Sequence, residues 1–185
     1  MHHTLKLYSS HRRWILRLYM LGAACTRLPL LGRLARRIAD SYGRKLHQAC
    51  LLAPDEAEAL LEIAGGVAVG PCDCRRTFKN CDHPVEAEIL LGPTRHIFLE
   101  AMPQNAHEIT REEARAILQD CRRRGLIPTI IKCRGDYYAI CHCCTCCCVP
   151  LRLSKEYGIG GALVRHRDIV GEFREYQTAY RDEKI

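Results

Sequence analysis

The segment CHCCTCCC, from Cys141 to Cys148, holds six cysteines in eight residues, and CDCRRTFKNC, from Cys72 to Cys81, holds three more. The nine thiols thus fall into two groups: Cys72, Cys74 and Cys81, then Cys141, Cys143, Cys144, Cys146, Cys147 and Cys148. Such crowding suits metal ligation and not disulfide pairing, because a disulfide needs Cβ atoms about 3.5–4.5 Å apart in one dihedral geometry. A packed run also gives an oxidising compartment no defined pairing. Structural zinc prefers four ligands in C-x2-C knuckles. Neither group has that pair-and-pair form, although Cys141/Cys144 and Cys143/Cys146 share the spacing. Iron–sulfur clusters accept sets of four cysteines at more varied spacings. Consecutive side chains leave the backbone in different directions. One cluster therefore does not use all of Cys146, Cys147 and Cys148, whereas two clusters on opposite flanks of that backbone could, close enough for fast electron exchange. Two [4Fe-4S] clusters need eight ligands, and nine candidates are present.

The rest of the composition is that of an ordinary folded chain. With 185 residues, 48% apolar and 26% charged, one compact domain with its own core is expected, and wholesale disorder is not. Thirteen cysteines point to metal in a reducing compartment, so the expected location is cytoplasmic. No run of about 18–20 uncharged apolar residues crosses a bilayer. Ser10 to Cys25 loosely resembles an export signal, but Arg17 interrupts the apolar run and amphipathic spacing resumes after Cys25. The formal charge of +7 counts every thiol as neutral. Each thiolate-bound cubane carries about −2, so two of them would leave about +3 to attract an acidic partner.

The elements that must position the thiols read as a mainly helical α+β protein, a single domain with a small β-hairpin and two cysteine-rich loops. Residues 1–50 form a basic amphipathic helical segment, and residues 51–185 form the cluster-binding domain. From Leu5 to Tyr42, one or two helices carry apolar stripes at Trp14, Ile15, Leu18 and Leu21, then Leu30, Leu31, Leu34 and Ile38, with Pro29 between them. Arginines, Arg12 and Arg13 among them, fill the other faces. Two readings stand open: peripheral membrane contact or docking of an acidic partner, and packing on the core with a solvated arginine side. Asp55 to Ala64 reads as a short helix opened by Pro54, Val67 to Val69 as a strand, and PVEAEILL as a helix between Asp82 and Gly92. Thr110 to Gly125 has a Thr110/Glu113 capping box and apolar Ala114, Ile117, Leu118 and Cys121 on one face. IPTIIK and YYAI flank the turn CRGD as a hairpin, PLRLSKEYGIGG is a helix ended by glycines, and ALVRH is a short strand. Arg122 to Arg124 before that hairpin suggest a winged helix. They also complement the helix dipole, and no second basic recognition helix follows, so no nucleic acid is expected.

CDCR, NCDHPVEAEILLG, the helix before GLIP, YAICHCCTCCC and PLRL together resemble a family of cysteine-rich 4Fe-4S binding, ferredoxin-like oxidoreductase components, over roughly Pro54 to Phe173. The resemblance implies iron–sulfur binding and electron transfer to or from a partner oxidoreductase, with no substrate attached. Three departures stand out: Glu88 replaces a thiol expected after P-x-E, His142 stands where many members have asparagine, and no two-cluster ferredoxin tail follows. A cluster on Cys72, Cys74 and Cys81 would take its fourth ligand from Glu88, His83, a second-group cysteine or solvent. A weakly held iron at Glu88 would allow reductive chemistry on a small molecule or disulfide, an alternative to pure electron transfer. Otherwise Glu88 faces solvent on an amphipathic helix and the second group completes the set. Cys25, Cys50, Cys121 and Cys133 lie outside the motif, with Cys133 as a reserve ligand. Arg75, Arg76 and Lys79 either offset thiolate charge or are exposed and incidental.

Overall fold

The structure, a computed structural model, describes residues 3–29 and 31–182; Leu30 of the second apolar stripe lies outside them. The element order is α1 (His3–Ala24), α2 (Gly32–Leu46), β1 (His47–Leu51), α3 (Pro54–Ile63), β2 (Val67–Pro71), α4 (Asp73–Phe78), β3 (Glu86–Leu91), α5 (Arg95–Ala101), β4 (His107–Ile109), α6 (Arg111–Arg123), β5 (Ile127–Cys133), β6 (Asp136–Cys143), α7 (Val149–Tyr157), β7 (Leu163–Val164) and α8 (Ile169–Asp182). The expected α+β architecture is present, and its sheet is larger than one hairpin. Seven strands run in the order β4-β2-β3-β6-β5-β1-β7, antiparallel except where β7 pairs with β1. The β5–β6 hairpin is the middle of it. The boundary expected at residue 50 falls inside β1, which bonds along β5.

Side-chain alternation splits the core between the two faces of the sheet. Ile89, Leu91, Ile130 and Ile140 face α3, α6 and α8, packing on Leu60, Leu61, Leu118 and Phe173. Leu90, Ile131, Tyr138 and Ala139 face the opposite way, onto Leu5 and Tyr8 of α1 and Phe98 of α5. A register shift in the β5–β6 ladder places Tyr138 and Ala139 in the same cluster. Beyond it the alternation carries Cys141 and Cys143 to the α1 side.

Several local expectations are met. α3 starts at Pro54, α6 carries the Thr110/Glu113 capping box, and α7 ends on Gly158 in the left-handed conformation at φ 64°. Two are corrected. PVEAEILL is not a helix; Glu86–Leu91 is a strand lying between β2 and β6. Its apolar run is strand-length and buried, the pattern of a central strand, which periodicity alone does not separate from a short helix. The first cysteine group is not a plain loop either, since Asp73–Phe78 forms a helical turn and a half, closed by Lys79 at φ 51°.

Candidate metal centre

The two cysteine segments lie far apart in sequence and meet because of sheet order. β2 ends at Pro71 and β6 at Cys143, and β3 pairs antiparallel with both, so both strands deliver their cysteines to the same end of the sheet. Cys72 N–H donates to Val85 O at 2.7 Å and closes the excursion that carries Cys72 to Cys81. On the other side, Cys148 N–H donates to Cys144 O at 3.1 Å and Cys148 caps α7, tightening the run into a single turn.

That turn sorts the thiols by direction. Cys81, Cys144, Cys146 and Cys147 converge, their Sγ atoms all within 4.8 Å of one another. Cys81 Sγ lies 3.8 Å from Cys144 Sγ and 3.7 Å from Cys147 Sγ. Among the described residues this is the set of side chains placed to hold a metal ion. Asn80 supports it, its backbone N–H donating to Cys147 Sγ at 3.3 Å and its amide to Cys146 O at 2.8 Å. Cys144 and Cys147 are buried, whereas Cys81 and Cys146 are half-buried. A single Zn2+ holds thiolates at about 2.3 Å, which sets the edge of a tetrahedron at about 3.8 Å. The two separations from Cys81 match that edge.

The remaining five, Cys72, Cys74, Cys141, Cys143 and Cys148, line an adjoining small cavity of about 40 Å³ with Tyr8, Arg12 and Tyr138, and Cys144 of the four-thiol set borders it too. Cys148 Sγ donates to Cys143 Sγ at 3.1 Å, and Thr129 Oγ1 lies 3.2 Å from Cys143 Sγ. Neighbours in the run therefore differ: Cys143 and Cys148 turn to the cavity, Cys147 turns to the four-thiol set, and Cys144 borders both. The first group, read from sequence as one unit, is divided in the same way. Cys72 and Cys74 face the cavity, and Cys81 joins the second segment.

Electrostatics differ within each group. A hydrogen bond from Cys148, with further help from the Val149 N–H at the start of α7, holds the Cys74 thiol below the ordinary range. Burial pushes the Cys81 thiol up, but the His83 N–H and the surrounding thiols outweigh it and leave it lowered. Burial pushes Cys72 up to about 12, and Cys144 and Cys147 up to about 11. Without a cation, most of these sulfurs keep their protons. Metal binding releases those protons, and a bound ion is what makes the whole set thiolate.

Buried charged side chains stand beside these thiols, and one of them, Arg12, lies outside the sequence motif. Arg12, expected on a solvated face of α1, is buried and donates through Nη2 to Glu88 at 2.7 Å, with Asp73 at 3.7 Å from Nη1. Glu88 is buried on β3, neither on a helix nor facing solvent. Burial pushes its carboxyl up, partly offset by Arg12, and it accepts a hydrogen bond from Cys141. Arg75 is also buried. It donates to Pro84 O and His142 O and bonds Cys72, and its charge is felt by Cys144 and Cys121 as well. Among the described residues Arg12 Nε and Arg75 Nε have no hydrogen-bond partner, nor do Glu88 Oε2 and His142 Nε2. Unpaired buried donors next to thiols fit an anionic group, since leaving them empty costs about 1–3 kcal/mol each. His142 Nδ1 bonds Ala87 O at 2.7 Å, and burial lowers the ring to about 4, so it is neutral. Cys121 packs on the four-thiol set through the apolar face of α6, whereas Cys133 sits in the core under α1. The one signal that could have singled out Arg12 is its place in the Leu5, Tyr8, Leu16 stripe of α1, at helical spacing from each.

No protein-family model, no curated protein and no solved structure matches this chain.

Proposed function

We propose that the chain is an iron–sulfur protein with two [4Fe-4S] clusters, one on each flank of the Cys143–Cys148 turn, passing single electrons to or from a partner oxidoreductase. The observation that carries this reading is that four thiols converge on one flank of a short turn while the other five line the cavity on its other flank, with Cys144 bordering both. Each set reaches the count a cubane requires. The C-x-C spacings at Cys72/Cys74 and Cys144/Cys146, and the likeness to cysteine-rich ferredoxin-type components, support it further. Cys81, Cys144, Cys146 and Cys147 would hold the outer cluster, and Cys72, Cys74, Cys141, Cys143 and Cys148 the inner one. Buried Arg12 and Arg75 would offset the inner negative charge and raise its potential relative to the outer one. The half-buried edge at Cys81 and Cys146 is the way in for electrons. Arg76 and Lys79 border an open cleft beside Cys81, which suits an acidic partner face. Glu88, held by Arg12, serves as a charge partner to the inner site in this reading.

A second reading has its own observation. The 3.7 and 3.8 Å sulfur separations fit one tetrahedral ion, and a cubane spreads its thiolates wider, so accepting one requires the 144–148 turn to move outward. A structural zinc at Cys81, Cys144, Cys146 and Cys147 is that alternative. Anaerobic purification followed by iron, zinc and acid-labile sulfide counts, with an electron paramagnetic resonance spectrum of the reduced protein, decides between them. About eight irons and eight sulfides per chain is the expected result. One zinc without sulfide establishes the second reading and removes the electron-transfer role.

A further inference from the structure

α1 is apolar on two opposite sides. Leu5, Tyr8, Leu16 and Met20 are buried against the protein. Leu7, Trp14, Leu18 and Leu21 lie across the helix from them, and Trp14 and Leu21 are 66% and 70% exposed. α2 adds an exposed apolar stripe of its own, Leu34, Ile38 and Tyr42, each four residues apart, following exposed Leu31. A helix apolar on both faces is normally covered on both. Among the described residues, nine of the ten large exposed apolar side chains belong to positions 7–42.

The two stripes converge. Tyr19 and Tyr42 hydroxyls meet at 2.7 Å and join the helices, and between them opens an apolar groove of about 430 Å³. Exposed Leu18 and Ile38 stand at its mouth, with Leu16, Ala23, Val149 and Leu153 deeper in. The volume suits a lipid tail.

Charge says what lies opposite. Residues 1–46 contain ten Lys or Arg and one acidic residue, Asp40, while residues 47–185 contain eighteen Lys or Arg and twenty acidic residues. The entire positive excess of the chain is therefore carried by these two helices. Arg17 stacks over the Trp14 ring at 5.2 Å, and Arg33 and Arg37, exposed and one turn apart on α2, flank the stripe of Leu34 and Ile38. Apolar side chains with an interfacial tryptophan, bordered by arginines, match the boundary between anionic headgroups and acyl chains. No helix among the described residues is long and apolar enough to cross a membrane, so the helices would lie along the surface.

We infer that α1 and α2 form a docking face for an anionic lipid bilayer, with the groove between them receiving an acyl chain. The inference is independent of which metal the thiols hold. The test is flotation of the full, metal-loaded chain with vesicles of phosphatidylcholine alone or mixed with phosphatidylglycerol, with emission from Trp14, the sole tryptophan, as a second readout. The expected result is flotation with the mixed vesicles only, weakened by salt, with a blue shift of Trp14. Arg33→Glu/Arg37→Glu and Leu18→Ser/Leu21→Ser should each reduce partitioning at least about tenfold, with circular dichroism and metal content unchanged. Failure to float with mixed vesicles, equal binding to both vesicle types, or self-association abolished by Leu18→Ser/Leu21→Ser in a chain that does not float would each overturn it; the last would assign the face to a second copy.

Discussion

Replacing Arg12 by methionine tests whether the inner thiol cavity is built around a buried ion pair. The Arg12 and Glu88 side chains are 6% and 1% exposed and meet at 2.7 Å, so the substitution keeps most of the stem volume and strands a carboxyl in the interior. Removing one partner of a buried pair costs about 3–5 kcal/mol. In a chain of this length that lowers the melting temperature by about 6–20 °C. The guanidinium also stands about 5.8–5.9 Å from the Tyr8, Phe98 and Tyr138 rings, contacts that methionine only partly replaces. Glu88→Gln in the Arg12→Met background removes the stranded charge and should restore most of the loss. The pH dependence has a defined sign. Burial raises the Glu88 carboxyl already in the native protein, and without Arg12 it rises further. A carboxyl higher in the folded than in the unfolded state contributes stability below its unfolded value of about 4.3, and loses it as pH rises through the folded value. The deficit of Arg12→Met should therefore be small near pH 4 and grow toward neutrality. Urea denaturation of anaerobically handled protein, followed by circular dichroism at several pH values, measures it. A loss below about 1 kcal/mol at neutral pH, or no recovery with Glu88→Gln, would refute the reasoning.

Three further outcomes follow from the same geometry. Cys147→Ser and Cys148→Ser, adjacent in sequence, should deplete different centres: the first lowers the metal held by Cys81, Cys144 and Cys146, the second that of the cavity group, as read by metal counts and absorption spectra. Identical spectra for both variants would mean a single shared site. Thr110→Ala removes the hydroxyl that accepts from Glu113 N–H at 3.2 Å, and should cost about 1 kcal/mol, seen as a thermal shift of about 2–4 °C with metal content unaltered. Gly43→Ala should cost about 1–3 kcal/mol, because its Cβ would stand 2.6 Å from Ala162 N where α2 crosses the Gly161–Ala162 backbone; denaturant midpoints check it.

Much of the local structure is written in short-range chemistry. Pro54 opening α3, the Thr110/Glu113 box on α6, the CRGD hairpin and the glycine that ends α7 each depend on residues within a few positions of one another, so they are readable without the fold. The segment Glu86–Leu91 is where such reading fails. Six apolar-rich residues fit a short helix or a buried strand equally, and the choice falls to β2 and β6, which supply hydrogen bonds on both sides. Glu88 follows from it, since moving from helix to central strand turns an expected surface carboxylate into a buried one.

By itself the chain's sequence determined that thiols cluster in two segments, that metal and not disulfide chemistry suits them, and that the first 46 residues are cationic and apolar together. Only the tertiary structure decided how the thiols are shared. Cys81 leaves its sequence neighbours for Cys144, Cys146 and Cys147, because β3 brings the ends of β2 and β6 side by side and one tight turn aims consecutive side chains apart. Arg12 reaches the cavity for the same kind of reason. It lies sixty residues before the first cysteine of the motif, and burial of α1 against the sheet carries it in, a contact that no spacing rule along the chain encodes.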